Sequence, residues 1–152
     1  MTITIEAIKA QHAKVAELLS RWEAQQQTQS LKLEAVTIQL AAGEQYAGMV
    51  LNEQGIPSHH LILLPGSAEE LSWSDAGTWA AEQGGALPTR SEQSLLFANL
   101  KSHFGAGYHW SSEEHESESG FAWYQGFNDG YQDGGRKGAE LRARAVRRLP
   151  IR

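Results

Sequence analysis

The densest run of potential ligand groups in this chain lies between positions 109 and 118. His109, Glu113, Glu114, His115 and Glu116 offer imidazole and carboxylate donors of the kind zinc or manganese accepts. Their spacing follows no metal-site rule, and SSEEHESES carries no hydrophobic residue to hold a geometry, so the run reads as a solvated acidic loop. A second polar stretch, QGFNDGYQDGGRK over 125–137, places Asn128, Asp129 and Asp133 around Tyr131. A hard cation takes six or more oxygens in a recognisable loop spacing, and this stretch supplies three such side chains in none. No metal and no cofactor are expected. Tyr124, Asn128, Asp129, Tyr131, Gln132 and Arg136 make a better binding surface: tyrosine brings rigid amphipathic area and amides bring adaptable hydrogen bonds. The plainer reading of these residues, as the edge of a sheet, stays open.

Catalytic patterns are missing. The sequence holds no nucleophile elbow, phosphate-cradling glycine loop or HExxH zinc motif. His59-His60 precedes the apolar run LILL and reads as the start of a strand rather than as a catalytic pair. There is no cysteine, which excludes disulfides, thiolate metal sites and cysteine nucleophiles. No catalytic residue is assigned, and a binding protein rather than an enzyme is expected.

The elements that must position these residues follow from the apolar pattern. Val36, Ile38 and Leu40, following Leu31 and Leu33, nearly alternate and predict a half-buried strand. Tyr46–Leu51 and His59–Leu64 predict two more, joined into a hairpin by NEQGIPS with its turn formers Gly55 and Pro57. SWSDAGTWAAEQGG spaces Trp73, Ala76, Trp79 and Ala80 on one face and stops at Gly84-Gly85, as a short helix does. TRSE over 89–92 is a capping box, opening a second helix through Leu95, Leu96 and Leu100 to Phe104. YHWSS, GFAWYQGF and RARAVRRL then read as antiparallel strands. The order places the body, residues 31–152, in the α+β class rather than among doubly wound sheets.

Ahead of that body, Met1, Ile5, Ile8, His12, Val15, Leu19 and Trp22 recur at alternating spacings of four and three, the seam of a left-handed coiled coil. A heptad helix over residues 1–24 is predicted, capped by Thr2 or Thr4, with 25–30 (QQQTQS) as linker. The seam either packs on the body or self-associates. For self-association through Ile5, Ile8, His12, Val15, Leu19 and Trp22, a trimer is favoured over a dimer, because Leu18 widens the stripe and the seam lacks the dimer pattern of β-branched residues alternating with Leu. His12 is a polar seam residue able to fix register or make assembly pH-sensitive.

The 152 residues carry a net charge of -5 that is unevenly distributed. Positions 136–152 hold seven basic residues against one acid, the remainder six against seventeen. Such a segment binds any polyanion without specifying one; in a compact domain the expectation is that it pairs with the body's own carboxylates, and nucleic-acid binding is only the alternative. No stretch approaches the ~20 apolar residues of a membrane span, and the N-terminus lacks a signal-peptide pattern. A protein without a membrane partner, not exported by a standard signal peptide, is expected.

Leu87-Pro88-Thr89 with Glu92, Trp110-Ser111-Ser112, Ala122-Trp123 with Phe127 and Gly130, and Arg144-Ala145-Val146-Arg147 together resemble the bacterial and phage family named for the C-terminal domain of the collagen-like adhesin Lcl. The resemblance covers residues 46–149. It implies a C-type-lectin-like domain, and it is nearest to small prophage-encoded members whose function is not known. These motif residues read as scaffold, with Trp110 and Trp123 in the core and the serines serving loop backbone, so function is expected on the loops. Ala86 stands where the family commonly has Arg, so the salt bridge implied there is missing. The Glu-Pro-Asn or Gln-Pro-Asp tripeptide of calcium-dependent lectins is absent, and formylglycine-generating enzymes, which share the fold, need a cysteine this chain lacks. The reading reached is a non-enzymatic ligand-binding or protein-interaction module of phage or prophage origin. Such a module, in the host cytoplasm or the virion, serves either as a virion or adhesin-type receptor-binding protein whose ligand, a host protein or glycan, the sequence does not identify, or as an intracellular factor that inhibits a host protein through the acidic loop Glu113–Glu118.

Overall fold

A computed structural model describes residues 2–27 and 30–152. Met1 and two of the linker positions, 28 and 29, lie outside the described residues. The chain divides into two units, Met1–Ile38 and Gln39–Arg152.

In the first unit, Ile5–Gln25 forms helix α1. Thr4 caps it, its hydroxyl accepting from the Ala7 amide, and Glu6 in the first turn complements the positive end of the helix dipole. No residue of α1 is buried. Residues 30–40 carry no regular secondary structure, so the strand predicted over 31–40 does not form. Of its five apolar positions only Ile38 is half-buried. Alternation stabilises a strand only where a neighbouring strand takes its hydrogen bonds, and among the described residues none pairs here.

The second unit is α+β, with two sheets and two packed helices. Strands β1 (Gln45–Leu51) and β2 (Pro57–Leu63) form the predicted hairpin, closed by Asn52, whose side chain accepts from the amides of Gln54 and Ile56. The C-terminal strand β8 (Val146–Pro150) pairs antiparallel with β2, which gives a three-stranded sheet in the order β1-β2-β8. The second sheet has the order β3-β7-β4-β5-β6, built from Ala68–Leu71, Leu141–Ala143, Tyr108–Glu114, Phe121–Gly126 and Gln132–Arg136. Its pairs are antiparallel except β4 with β7, which run parallel. Two of these strands, β3 and β6, escaped the sequence reading. AEEL has one strong apolar residue, and QDGGR is polar and glycine-rich, so tertiary pairing rather than propensity makes them strands.

Helix α2 (Trp73–Glu82) is capped by Ser72 and buries Ala76 and Ala80 against Leu64, Leu87, Trp110, Ala122, Ala143 and Ala145. Two indoles lock it in place: Trp73 donates to the Ser111 carbonyl and Trp110 to the Leu71 carbonyl, each at 2.8 Å. Gly84, at φ 82°, ends the helix in the left-handed conformation, and Gly85 then passes so close to β8 that a Cβ there would lie 2.4 Å from the Val146 carbonyl oxygen. Ala86, where the resemblance would place an arginine, instead exchanges two backbone hydrogen bonds with Val146. Helix α3 (Arg90–Leu100) begins with the capping box as predicted and continues into a 3-10 turn over Lys101–His103. It packs Leu96 into a second core with Ala47, Leu61, Leu63, Phe127 and Val146.

Glu92 joins α3 to the three-stranded sheet. It is fully buried. One oxygen accepts from the Thr89 amide and from Arg148 Nη2, the other from Arg148 Nε, and His59 Nε2 lies 3.0 Å from the latter. Burial alone would raise this carboxyl, but the Arg148 guanidinium, the Thr89 amide and His59 together outweigh it and hold it below the ordinary range. Removing one member of such a buried pair leaves the other uncompensated. Glu92→Gln should therefore destabilise the body by roughly 3–5 kcal/mol and lower its thermal midpoint by about 10–20 °C. An unchanged melting curve would show that Arg148 and His59 find other partners.

The basic segment pairs internally, as expected from its position: Arg142 with Glu69, Arg147 with Glu44, Arg148 with Glu92 and Lys137 with Glu114. The bidentate Arg147 contact draws the Glu44 carboxyl down to about 2. His109, buried edge-on against the stacked rings of Phe104 and Phe127, is pushed down to about 4, first by burial and then by Arg142 and Arg144. Both groups bind protons more readily in the unfolded chain, so both make stability fall as the pH falls. His109 acts between 6.5 and about 4. Glu44 acts between 4.5 and about 2. In urea titrations across that range, His109→Phe should flatten the upper part of the decline and Glu44→Gln the lower part. Identical profiles for wild type and variants would contradict the assignment.

Candidate functional site

Three tyrosines meet on one face of the five-stranded sheet. In β4, Tyr108 stands two residues before the buried Trp110 and so points to the same side. In β5, Tyr124 is the register partner of Trp110, and in β6 Asp133 is the partner of Tyr124. Tyr131, just before β6, accepts at its carbonyl from the Gly126 amide, which continues the pairing by one step. The rings of Tyr108 and Tyr124 lie 4.8 Å apart, tilted by 57°, and Tyr124 meets Trp110 edge-on.

Glycines form the floor beneath them. A Cβ at Gly126 would come within 3.3 Å of the Tyr108 ring, and one at Gly135 within 3.0 Å of the Tyr124 ring. Side chains at those two positions would lift the rings off the sheet. Tyr108 and Tyr131 remain 51% and 62% exposed, whereas Tyr124 is half-buried. Burial, and then Asp133, Tyr108 and Tyr131, raise the Tyr124 hydroxyl above its ordinary value, so it stays a neutral hydrogen-bond donor. The surface combines aromatic area with a phenol donor and a carboxylate acceptor.

The turn that leads into β6 bounds this surface. Asp129 accepts from the Tyr131 amide, and the Asn128 carbonyl accepts from Lys101 Nζ, leaving the Asn128 side chain exposed. Gln132 is placed elsewhere. It faces α3, donating to the Arg90 carbonyl and to Gln125 Oε1 while accepting from Arg90 Nε. Arg136 sits at the far end of β6 opposite Phe121, beside an open depression lined by Ser119, Lys137 and Ala139. Of the six candidates, Tyr124, Asn128, Asp129 and Tyr131 are thus brought to one end of the sheet and Gln132 and Arg136 are not. Tyr108 was not singled out, and Asp133 was weighed only as an oxygen ligand for a cation, not as part of the binding surface. The signal for Tyr108 was available: alternation in YHW puts it on the side of the core tryptophan.

The acidic loop is built rather than free. His115 stacks on Trp123 with centroids 4.7 Å apart and planes 17° from parallel, and its Nδ1 accepts from the Glu118 and Ser117 amides. Trp123 donates to Glu116, and the Arg90 guanidinium lies 3.6 Å from the Trp123 ring centroid. Trp123 is therefore half-buried under polar groups, not a core residue as its resemblance to scaffold suggested. Two of the acids are also engaged: Glu113 accepts from the Arg90 amide and Glu114 pairs with Lys137. Among the described residues no group of three or more His, Asp or Glu is placed to hold a metal ion.

Ser58, His59 and Glu92 come into contact in sequence, with Ser58 Oγ 3.0 Å from His59 Nδ1. Arg148 and the Thr89 amide occupy both oxygens of Glu92, which makes this chain of contacts part of the structural knot. No family model matches the chain, and no curated relative matches it in sequence.

If His115 holds the loop, His115→Ala should speed amide exchange at Ser117 and Glu118 roughly tenfold, the effect of losing one or two net hydrogen bonds. The melting temperature should move little. Unchanged exchange at those two amides would show that Trp123 and Glu116 hold the loop without it.

Proposed function

We propose that this chain is a non-enzymatic binding module, of the phage or prophage kind its motifs resemble, with a C-type-lectin-like body that takes a glycan on its tyrosine face. The observation that carries the reading is the set Tyr108 laid over Gly126 and Tyr124 over Gly135, with Tyr131 and Asp133 beside them. The body gains nothing in stability from leaving two tyrosines more than half in water. A sugar ring has the complementary character: an apolar C–H face to lie on a ring, and hydroxyls at its rim for a carboxylate, a phenol and the Asn128 amide. Tyr108, Tyr124 and Asp133 lie on strands, which hold them more firmly than loops do.

A second reading, an intracellular factor that inhibits a host protein through Glu113–Glu118, has the built acidic loop in its favour. It is weakened by the internal engagement of Glu113, Glu114 and Glu116. Polyanion binding through positions 136–152 is weakened in the same way, because four of the basic side chains already face carboxylates and Arg144 is held by the carbonyls of His103 and Leu64.

The test is a glycan array probed with the full chain, followed by titration of the glycans retained. Tyr108→Ala with Tyr131→Ala should weaken binding by about tenfold or more, as loss of aromatic contacts at the centre of an interface does. The melting temperature should stay close to that of the wild type, since both rings are exposed. Retention of glycans by the double variant would move the site elsewhere, and capture of a host protein without any glycan would favour the second reading.

A further inference from the structure

We propose that the occupant of the exposed seam of α1 is the same helix in other copies of this chain, in a parallel bundle. Independently of what the body binds, the helix shows an unsatisfied apolar face. Ile5, Ile8, Val15, Leu18, Leu19 and Trp22 are all more than half exposed, with Ile5 at 65% and Trp22 at 59%. Exposure of that order along one stripe of a single helix marks a contact surface rather than scattered surface apolar residues.

The pattern identifies the partner as a helix. Taking Ile5 as the first core position, Ile5, His12 and Leu19 occupy position a, while Ile8, Val15 and Trp22 occupy position d. This mean spacing of 3.5 residues keeps a seam in register only against another helix that supercoils with it; a helix lying on a sheet follows 3.6. The two helices of the body already bury their apolar faces, α2 in one core and α3 in the other.

The flanks permit identical helices to lie side by side. Positions e and g, which face each other between parallel neighbours, are Lys9, Ala16 and Glu23 against Thr4, Gln11 and Leu18. No like charges oppose. The charged pair Glu17–Arg21 is made within one helix at 2.7 Å, away from the seam. Ala16 and Leu18 extend the apolar surface to both sides, so three helices cover it better than two. At roughly 80 Å² per large apolar side chain removed from water, six such side chains give about 500 Å² per helix for each copy. A pair therefore buries on the order of 1,000 Å², the lower bound for a specific interface, and a third helix exceeds it.

Sedimentation equilibrium on the full chain at micromolar concentrations tests this. One subunit weighs 16.7 kDa. A mass of two or more subunits, three being expected, that falls to one subunit in Ile8→Asp with Val15→Asp supports the proposal. So does a lower dissociation constant, by about tenfold, in His12→Ile, which replaces the polar core residue by an apolar one. The melting curve of the body in the charged variant serves as the folding control, because neither substituted residue belongs to it. A wild-type mass of one subunit, or an assembly that the charged variant leaves intact, overturns it.

Discussion

The buried carboxylate of Glu92 is the contact on which the arrangement of the body depends. It receives the cap of α3 through the Thr89 amide, the last strand through Arg148 and the second strand through His59. These three elements are distant in sequence; Leu61, Leu63, Leu96 and Val146 bring them into one apolar core, and the contacts of Glu92 add the directional constraint that non-directional burial lacks. A charge buried so fully is tolerated only when each oxygen is hydrogen-bonded, and that requirement allows one placement of α3 over the β1-β2-β8 sheet. The Ala86–Val146 bridge and the close approach of Gly85 to the same strand extend the constraint to the end of α2.

From this fixed frame the second sheet gains its two different faces. Toward α3 it presents His109, Ser111, Gln125 and Gln132, whose polar atoms are largely absorbed by Gln93, Arg90 and backbone groups. Toward α2 it begins as core, with Trp110 and Ala122, and ends as the tyrosine surface once the helix no longer covers it. The same alternation of side chains that buries Trp110 exposes Tyr108. Tyrosine surface and core are therefore neighbours on one face, and rigidity at Trp110 is transmitted to Tyr124 through their edge-on contact. Several copies joined through α1 would multiply weak contacts to a repetitive ligand without adding any new contact to the surface itself.

Much of this was legible in the sequence. The hairpin, the Ser72 and Thr89 caps and the termination of α2 at glycines are local signals, and local chemistry decides them. The internal pairing of the basic segment was also readable, since an acidic body offers its arginines partners. What the sequence hid was set by pairing at a distance. QDGGR became a strand because β5 lends it a ladder, and residues 31–40 did not because no described strand pairs with them. Gln132 read as a surface amide in a polar run, yet one register step turns it toward α3. Trp123 read as core although an arginine and a histidine cover it, a substitution of polar stacking for apolar packing that composition does not reveal.

Native-state hydrogen exchange measures the claim that Glu92 ties the body together. The amides of Leu61–Leu63 in β2, of Leu95, Leu96 and Phe97 in α3, and of Val146–Leu149 in β8 should exchange with one common opening free energy, the highest in the chain. In Glu92→Gln that value should fall by the same amount in all three segments. A loss of protection confined to the first turn of α3, with β2 and β8 unchanged, would contradict the account and reduce Glu92 to a helix cap.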